Sequence, residues 1–233
     1  MRILFCPCHY VFDDGDRGSE LSWAYQIAQR ISDKHSKSVV VTGFKNLKTN
    51  VKFSIVEMQS DKKEVDLGLK NSLLFNFLYS KFALNLLRKE KFDILHHVLP
   101  FGIDRTFNFS FFFNRTPKVI GPIQNQLPVF TDNIHDVTAE KRSPHIIFIE
   151  KFITFFANPL LTYLSNTTLK KADTIIVINE KTKQQLIKRN IDSKKIVIIP
   201  PGIDCTKFTM SSSKNTKIEI LAVGALMRRK GFD

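Results

Sequence analysis

The chain has 233 residues, 43% of them hydrophobic and 24% charged, which is the composition of a soluble globular protein with one large domain and a smaller remnant. Its formal net charge of +13 should attract anions such as phosphoryl groups, nucleic acid or anionic lipid headgroups. The cysteines number three and only a short apolar run precedes Pro7, so these features argue against an exported, disulfide-bonded protein and favour a cytoplasmic one.

The first ninety residues alternate between strand and helix patterns. Ile3 to Phe5 predicts a buried parallel strand, and Val39 to Val41 predicts the next one. Between them, apolar residues recur at helical spacing after Gly18, and Ser19 is placed to cap that helix. A strand candidate at 51–56 and a long helix at 66–90 follow. The residues predicted on one side of the long helix are Leu74, Phe77, Leu78 and Phe82.

The same alternation continues after residue 90. Phe92 to His96 predicts a strand, and Lys118 to Ile120 predicts another, ending in a Gly121-Pro122 turn that opens a long loop. The remaining predicted elements are a helix at 144–170, a strand at 174–178, a helix at 180–189 capped by Asn179, and a strand at 196–199. Alternating strands and helices predict an α/β fold with a doubly wound, Rossmann-like parallel sheet, whose ligands bind at the carboxyl ends of the strands.

A change in composition marks a domain boundary near residue 210. Residues 209–216 contain three serines and an asparagine, which is typical of a linker. A new apolar strand pattern begins at Lys217. We therefore predict a Rossmann-like domain at 1–208, a linker at 209–216 and the start of a second Rossmann-like domain at 217–233.

The loop after the first strand carries two candidate sites. Its glycines do not form the dinucleotide fingerprint, which disfavours a dehydrogenase. Gly18 and Ser19 stand at a helix N-terminus, where free N–H groups suit a phosphate or a sugar hydroxyl, with an ordinary capped helix as the alternative. Asp14 and Asp16 fit the D-x-D pattern of a metal and diphosphate clamp, but neighbouring Asp13 favours a solvated acidic turn.

His96 and His97 end a predicted strand at the edge where ligands should bind. Adjacent strand residues point to opposite faces, so only one of the two can face a given cleft, and the sequence leaves open which one. Histidine suits a hydrogen bond to a sugar hydroxyl or a proton transfer near neutral pH. The alternative is a histidine whose ring is satisfied by backbone groups.

Three cations stand near the end of the chain, on a predicted strand-to-helix loop. Arg228, Arg229 and Lys230 follow Gly224, which closes the preceding strand. Cations in such a loop are suited to holding a diphosphate leaving group. A solvated basic segment is the alternative for these residues taken alone.

Several segments, in order along the chain, resemble the motifs of glycosyltransferase family 4, a family of retaining enzymes with the two-domain GT-B fold. Each motif is modest, but their order is specific, and together they extend over most of the chain. The segments are Gly18 to Glu20, Phe92 to His97, Gly121 to Ile123, Lys171 to Ile176, Ile198 to Asp204 and Val223 to Gly231.

The resemblance implies an activity and a set of site residues. It implies hexosyl transfer from a nucleotide diphosphate sugar to the hydroxyl of a glycan or lipid-linked acceptor, with retention of configuration and without a metal or other cofactor. A histidine of the 96/97 pair would lie near the transferred sugar. The donor- and acceptor-binding residues would be Gly18, Ser19, Gly121, Gly202, Arg228, Arg229 and Lys230. A second domain of about 150 residues would hold the nucleotide, so the 233 residues alone should be inactive.

The basic, Phe-rich composition also suits a peripheral protein on the inner face of a membrane, in contact with anionic lipid. Two alternatives to the transferase remain. One is a non-catalytic basic Rossmann-like module that binds nucleic acid or anionic glycan, and the other is a GT-B sugar epimerase. The cations are scattered along the chain and no nucleic-acid motif is present, so we expect no nucleic-acid partner.

Overall fold

The computed structural model describes residues 1–8, 11–14, 19–35, 37–58, 69–98, 103, 106–124 and 159–202, with the backbone alone at 19–22 and 69–75. The predicted long loop, the predicted linker and the cations at 228–230 lie outside these residues. None of the described helices combines the length and the apolar character needed to cross a bilayer.

Seven parallel strands of the described chain form the main sheet. They are β1 (Ile3–Cys8), β3 (Val39–Thr42), β5 (Ser54–Glu57), β6 (Ile94–Val98), β7 (Lys118–Ile123), β8 (Thr174–Val177) and β9 (Ile196–Ile198). A separate parallel pair is formed by β2 (Val11–Asp13) and β4 (Phe44–Asn46). The helices are α1 (Ser19–Lys34), α2 (Leu69–Lys89), α3 (Ser110–Phe113), α4 (159–171) and α5 (Glu180–Lys188), with a short 3-10 helix at Ser193–Lys195.

The strands are arranged in the order β5-β3-β1-β6-β7-β8-β9. Starting from β1, the chain adds β3 and β5 on one side, then crosses over and adds β6 to β9 on the other. The first six strands of the sheet therefore follow the Rossmann order. Because the strand order reverses between β1 and β6, the carboxyl ends of these two strands are where sheets of this kind form a ligand crevice.

Apolar side chains cover both faces of the sheet. In β1, Leu4 and Cys6 pack in a large core cluster with residues of α2, α3, α4 and α5. Ile3 and Phe5 alternate with them and pack in a second cluster with α1. The prediction of a doubly wound α/β sheet with helices on both faces is thus confirmed.

Helix α5 begins where the sequence predicts. The Asn179 side chain caps it, because Oδ1 accepts hydrogen bonds from the backbone N–H and the hydroxyl of Thr182, each at 2.9 Å. The bond from the Thr182 N–H satisfies one of the backbone donors left free in the first turn of the helix. The predicted cap is therefore confirmed.

Helix α2 buries only part of the side that its apolar pattern predicts. Phe82 is partly buried against the core, and the Leu74 side chain lies outside the described ones. Phe77 is 53% exposed and Leu78 is 40% exposed. Among the described side chains of α2, four are buried, and two of them are polar. They are Asn76, Tyr79, Ser80 and Ala83. The polar members find partners inside the fold, as the Ser80 hydroxyl lies 2.6 Å from the Asn76 carbonyl and 3.3 Å from Asn108 Oδ1. Because these polar side chains are hydrogen-bonded, α2 buries them although its apolar pattern does not predict it.

Gly121 and Pro122 do not form the predicted turn but lie inside strand β7. The pairing of β7 with β8 shifts register between Ile120 and Ile123, as at a β-bulge. Gly121 adopts φ +124°, and a Cβ atom built on it would lie 2.3 Å from the Ile176 carbonyl oxygen. Only glycine fits this close approach of two backbones without strain.

Substitution Gly121→Ala should destabilise the fold by at least about 3 kcal/mol, because alanine is strained at this φ and its methyl group overlaps the Ile176 backbone. Urea unfolding measures the loss. Gly202→Ala is the matched control, since nothing lies within 4 Å of its added Cβ and the effect should stay within about 0.5 kcal/mol. Equal losses for the two variants would contradict the described packing of β7 against β8.

Candidate functional site

The candidate site lies at the carboxyl ends of β1 and β6, where the strand order reverses. Cys8 ends β1 and pairs with Val98, which ends β6. On the other side of β6, Val98 pairs with Gly121. His96 and His97 immediately precede this edge, so the topology places the predicted histidine pair next to the crevice.

His96 is buried and holds one defined hydrogen bond. Its Nε2 lies 3.0 Å from the Gly121 carbonyl oxygen, which can only accept, so Nε2 carries the proton and donates. Burial lowers the pKa of His96 from 6.5 to about 4, although the Gly121 hydrogen bond opposes that shift. The ring is therefore neutral at physiological pH, with Nδ1 as its acceptor. It also contacts the Phe5 ring, with centroids 5.6 Å apart.

His97 is equally buried but has an unsatisfied atom. Its Nδ1 has no hydrogen-bond partner within the described chain. Burial lowers the pKa of His97 from 6.5 to about 3, and the neighbouring His96 lowers it further. A buried polar atom without a partner costs about 1–3 kcal/mol, so a ligand group that bonded this nitrogen would recover that cost.

The two histidines lie on opposite faces of β6, as adjacent strand residues must. Both are almost fully covered, with exposed fractions of 4% for His96 and 2% for His97. For His96, the alternative of a ring bonded by the backbone is correct at Nε2, which bonds the Gly121 carbonyl oxygen. His97 differs from His96 in that its buried Nδ1 has no partner within the described chain.

A buried polar network, which the sequence analysis did not identify, supports the same edge of the sheet. Asn108 is fully buried, and its Nδ2 donates to the Cys6 carbonyl oxygen at 3.1 Å. Its Oδ1 accepts from the Ser110 backbone N–H, and its backbone N–H donates to Thr168 Oγ1. Asn108 thus joins β1 to α3 and α4, with Ser80 of α2 in the same network. In sequence, an isolated asparagine among phenylalanines gives no signal of this role.

The first acidic turn is built into the fold. The Asp14 carboxylate accepts hydrogen bonds from the backbone N–H groups of Lys48 and Thr49 and from the Thr49 hydroxyl, at 2.7 to 3.0 Å. Burial raises the pKa of Asp14, but these hydrogen bonds outweigh it and hold the pKa below its usual value. Asp13 is buried and accepts from Asn46 Nδ2 at 2.8 Å. The two carboxylates hold the 46–49 segment against β2.

The structure adds little about the roles of the other predicted site residues. Gly121 belongs to the site through its carbonyl group, whereas Gly202 is exposed and follows β9. Ser19 is the first residue of α1. Gly18, Arg228, Arg229 and Lys230 lie outside the described residues, as does Asp16. Among the described residues, no group of three or more His, Cys, Asp or Glu side chains could hold a metal ion.

Cys6 and Cys8 are free thiols in the interior. Burial raises the pKa of both thiols, with the nearby Cys8 adding to the shift at Cys6. Cys6 Sγ lies 3.6 Å from the Tyr79 carbonyl oxygen, and Cys8 Sγ lies 3.9 Å from that of Ala24. Protonated thiols in such surroundings pack as small apolar groups and are unreactive.

A sequence model described as Glycosyltransferase Family 4 matches residues 133–207 of this chain. The match confirms the predicted resemblance over that range, which includes the segments Lys171 to Ile176 and Ile198 to Asp204. The histidine pair and the first loop lie outside it. No curated protein sequence matches the chain significantly.

Two solved structures are similar to the chain. A glycosyltransferase from Rickettsia africae ESF-5 aligns at 14% identity with a TM-score of 0.36, over 88% of this chain and 44% of its own. Anabaena HepE, in complex with UDP and glucose, aligns at 14% identity with a TM-score of 0.44, over 90% of this chain and 47% of its own. The chain therefore spans less than half the length of either protein.

Acidification should destabilise the fold through the two histidines. Unfolded histidines bind protons near pH 6.5, whereas the folded rings stay neutral down to about pH 4 for His96 and about pH 3 for His97. The unfolded state thus binds more protons in this window, and stability falls as pH drops below 6.5. Each histidine should remove up to about 2 kcal/mol between pH 7 and pH 5.

Urea unfolding at both pH values tests this expectation. His97→Asn should reduce the difference in unfolding free energy between pH 7 and pH 5, whatever its effect at either pH alone. His35→Asn, which removes a histidine outside the sheet, is the matched control. A His97→Asn variant with the same pH dependence as the unsubstituted protein would show that the ring is not held neutral.

Asp14→Ala should destabilise the fold by about 2 kcal/mol, because three donors of the 48–49 segment lose a charged acceptor. Thermal unfolding with and without Mg²⁺ or Mn²⁺ measures this effect. Asp33→Ala, which removes an exposed carboxylate bonded to Gln29, is the control and should change little. Strong stabilisation by the metal that disappears in Asp14→Ala would support the D-x-D alternative and refute the structural role.

Proposed function

We propose that this chain, which matches glycosyltransferase family 4 over residues 133–207, takes part in hexosyl transfer from a nucleotide diphosphate sugar to a glycan or lipid-linked acceptor. The observation that carries the proposal is the buried, unpartnered Nδ1 of His97. It lies near the carboxyl end of β6, where the strand order of the Rossmann-like sheet reverses. The transfer would retain the anomeric configuration, as the resemblance implies.

His97 is the proposed contact for the transferred sugar. A sugar hydroxyl both donates and accepts hydrogen bonds, so it can bond a neutral imidazole nitrogen in either tautomer. The unpartnered Nδ1 supplies that position, while His96 is committed to Gly121. A neutral ring is suited to this contact because it costs no ionisation near pH 7.

The chemical step would depend mainly on electrostatic stabilisation of the departing diphosphate. We propose Arg228, Arg229 and Lys230 for that role, without a required metal, from their cationic charge and their place in the family resemblance. Gly18, Ser19 and Gly202 are proposed to line the donor and acceptor cleft on the same basis.

We propose a membrane location together with a lipid-linked acceptor. The net charge of +13 and the exposed aromatic side chains favour a cytoplasmic protein that rests on the inner face of a membrane, where lipid-linked acceptors are presented. Such a place would suit the synthesis of polysaccharides on lipid carriers.

The proposal is tested with the product of the complete reading frame. It is incubated with a panel of nucleotide diphosphate hexoses and lipid-linked or oligosaccharide acceptors, and the product's anomeric configuration is read by NMR. His97→Phe should lower the transfer rate about 100-fold or more, because a positioned hydrogen bond to the reacting sugar is lost. Lys181→Gln, an exposed change on α5, should leave the rate unchanged.

Two outcomes would overturn the proposal. One is transfer that proceeds equally well in His97→Phe, which would remove the histidine from the site. The other is no transfer with any donor combined with tight, salt-sensitive binding of random-sequence RNA in a gel shift. That result would favour the basic binding module instead.

A further inference from the structure

We propose that the exposed faces of α2 and α3 form a surface that binds anionic lipid. The apolar part of this surface, called the aromatic patch, consists of Phe77, Leu78, Phe109, Phe112 and Phe113. The inference rests on the proposed membrane location and not on the transfer reaction, since lipid binding needs neither donor nor acceptor.

The aromatic patch is continuous. The Phe77 ring lies 6.1 Å from the Phe109 ring, the Phe109 ring 6.3 Å from the Phe112 ring, and the Phe112 ring 6.4 Å from the Phe113 ring, measured between centroids. The outer members are strongly exposed, at 53% for Phe77 and 74% for Phe113. The half-buried Phe109 and Phe112 connect the exposed rings, and Phe112 also packs against the core. A connected aromatic surface of this kind indicates an interaction site, whereas single exposed apolar residues are common.

Among the described residues, α2 and the segment after α3 carry positive charges beside the patch. The 21 residues of α2 include no Asp or Glu, and its cations are Lys70, Lys81, Arg88 and Lys89. Exposed Lys81 stands one helical turn after Phe77, and exposed Arg115 stands two residues after Phe113. Glu90, just beyond the helix, is paired with Arg2. Aromatic rings surrounded by cations match the headgroup region of an anionic bilayer, which attracts each surface cation by about 1 kcal/mol.

The α2 part of the patch lies over β1, whereas α3 leads into the amino-terminal start of β7. The Tyr79 carbonyl of α2 is 3.6 Å from Cys6 Sγ, near the carboxyl end of β1. Phe77 precedes Tyr79 on a helix whose N-terminus faces that edge, because α2 crosses from β5 to the parallel strand β6. A bilayer on the patch would therefore lie against the α2 face of the sheet.

Flotation of the chain with vesicles tests the patch. Vesicles of phosphatidylcholine with phosphatidylglycerol should bind the chain at low salt, and phosphatidylcholine alone should not. Phe77→Ser/Phe113→Ser should weaken binding about tenfold or more. Val197→Ser/Ile199→Ser removes two exposed apolar side chains near the β9 edge of the sheet and should leave binding unchanged.

A charge variant gives a second, independent measurement. Lys81→Gln/Arg115→Gln should weaken vesicle binding roughly fivefold for each cation and reduce its salt dependence. Lys181→Gln/Lys188→Gln removes two exposed cations of α5 and should have a much smaller effect. Circular dichroism verifies that each variant keeps the fold, which exposed substitutions should preserve.

Three results would overturn the inference. The first is no binding to anionic vesicles at low salt. The second is equal weakening by the α2–α3 and α5 charge variants, which would mean that net charge alone drives binding. The third is a second copy of the chain as the true occupant, shown if Phe77→Ser/Phe113→Ser turns a dimer into a monomer in sedimentation without changing vesicle binding. Loss of vesicle binding with retained sugar transfer would reject the patch while leaving the transferase proposal intact.

Discussion

The close approach of β7 to the β8 backbone at Gly121 is the constraint on which the geometry of the site depends. Because Gly121 has no Cβ, its backbone can lie where any other side chain would meet the Ile176 carbonyl. Its own carbonyl then accepts the hydrogen bond of His96, which fixes the ring's tautomer and orientation. The ring in turn packs on Phe5 of β1. One glycine thus connects the bulge in β7 to both strands that border the crevice.

Buried polar groups, more than apolar contacts, determine the detail of this sheet edge. Asn108 ties the Cys6 carbonyl to α3 and α4, and Asp14 ties β2 to the 48–49 segment. Such networks are costly when one member is unsatisfied, so they favour one arrangement of the chain over near alternatives. His97 Nδ1 departs from this pattern of satisfied groups, and an unsatisfied buried atom next to a crevice is where ligand binding has the most to gain.

The fold was predictable because buried parallel strands are short apolar runs, as at Val39–Thr42 and Thr174–Val177, separated by helix patterns. The bulged interior of β7 was not predictable, since a Gly-Pro pair usually marks a turn. Only the close approach of β8 shows that the bulged strand needs a glycine there. The buried side of α2 was also missed, because Asn76 and Ser80 look like surface residues until Asn108 supplies a partner. The positions of His96 and His97 at the strand end were predicted, but the Gly121 bond that distinguishes them is a long-range contact.

The central claim is that the β1–β6 crevice, with His97 beside it, receives the sugar substrate. The most direct measurement is an NMR spectrum of the imidazole nitrogens at pH 7 in the histidine-labelled protein used for the transfer assay, the product of the complete reading frame. The spectrum is recorded before and after addition of a nucleotide diphosphate hexose. The account predicts neutral rings for both residues, the Nε2–H tautomer for His96, and a donor-induced shift at His97 that is absent at His35. A protonated pair, or a donor that binds without moving the His97 signals, would contradict it.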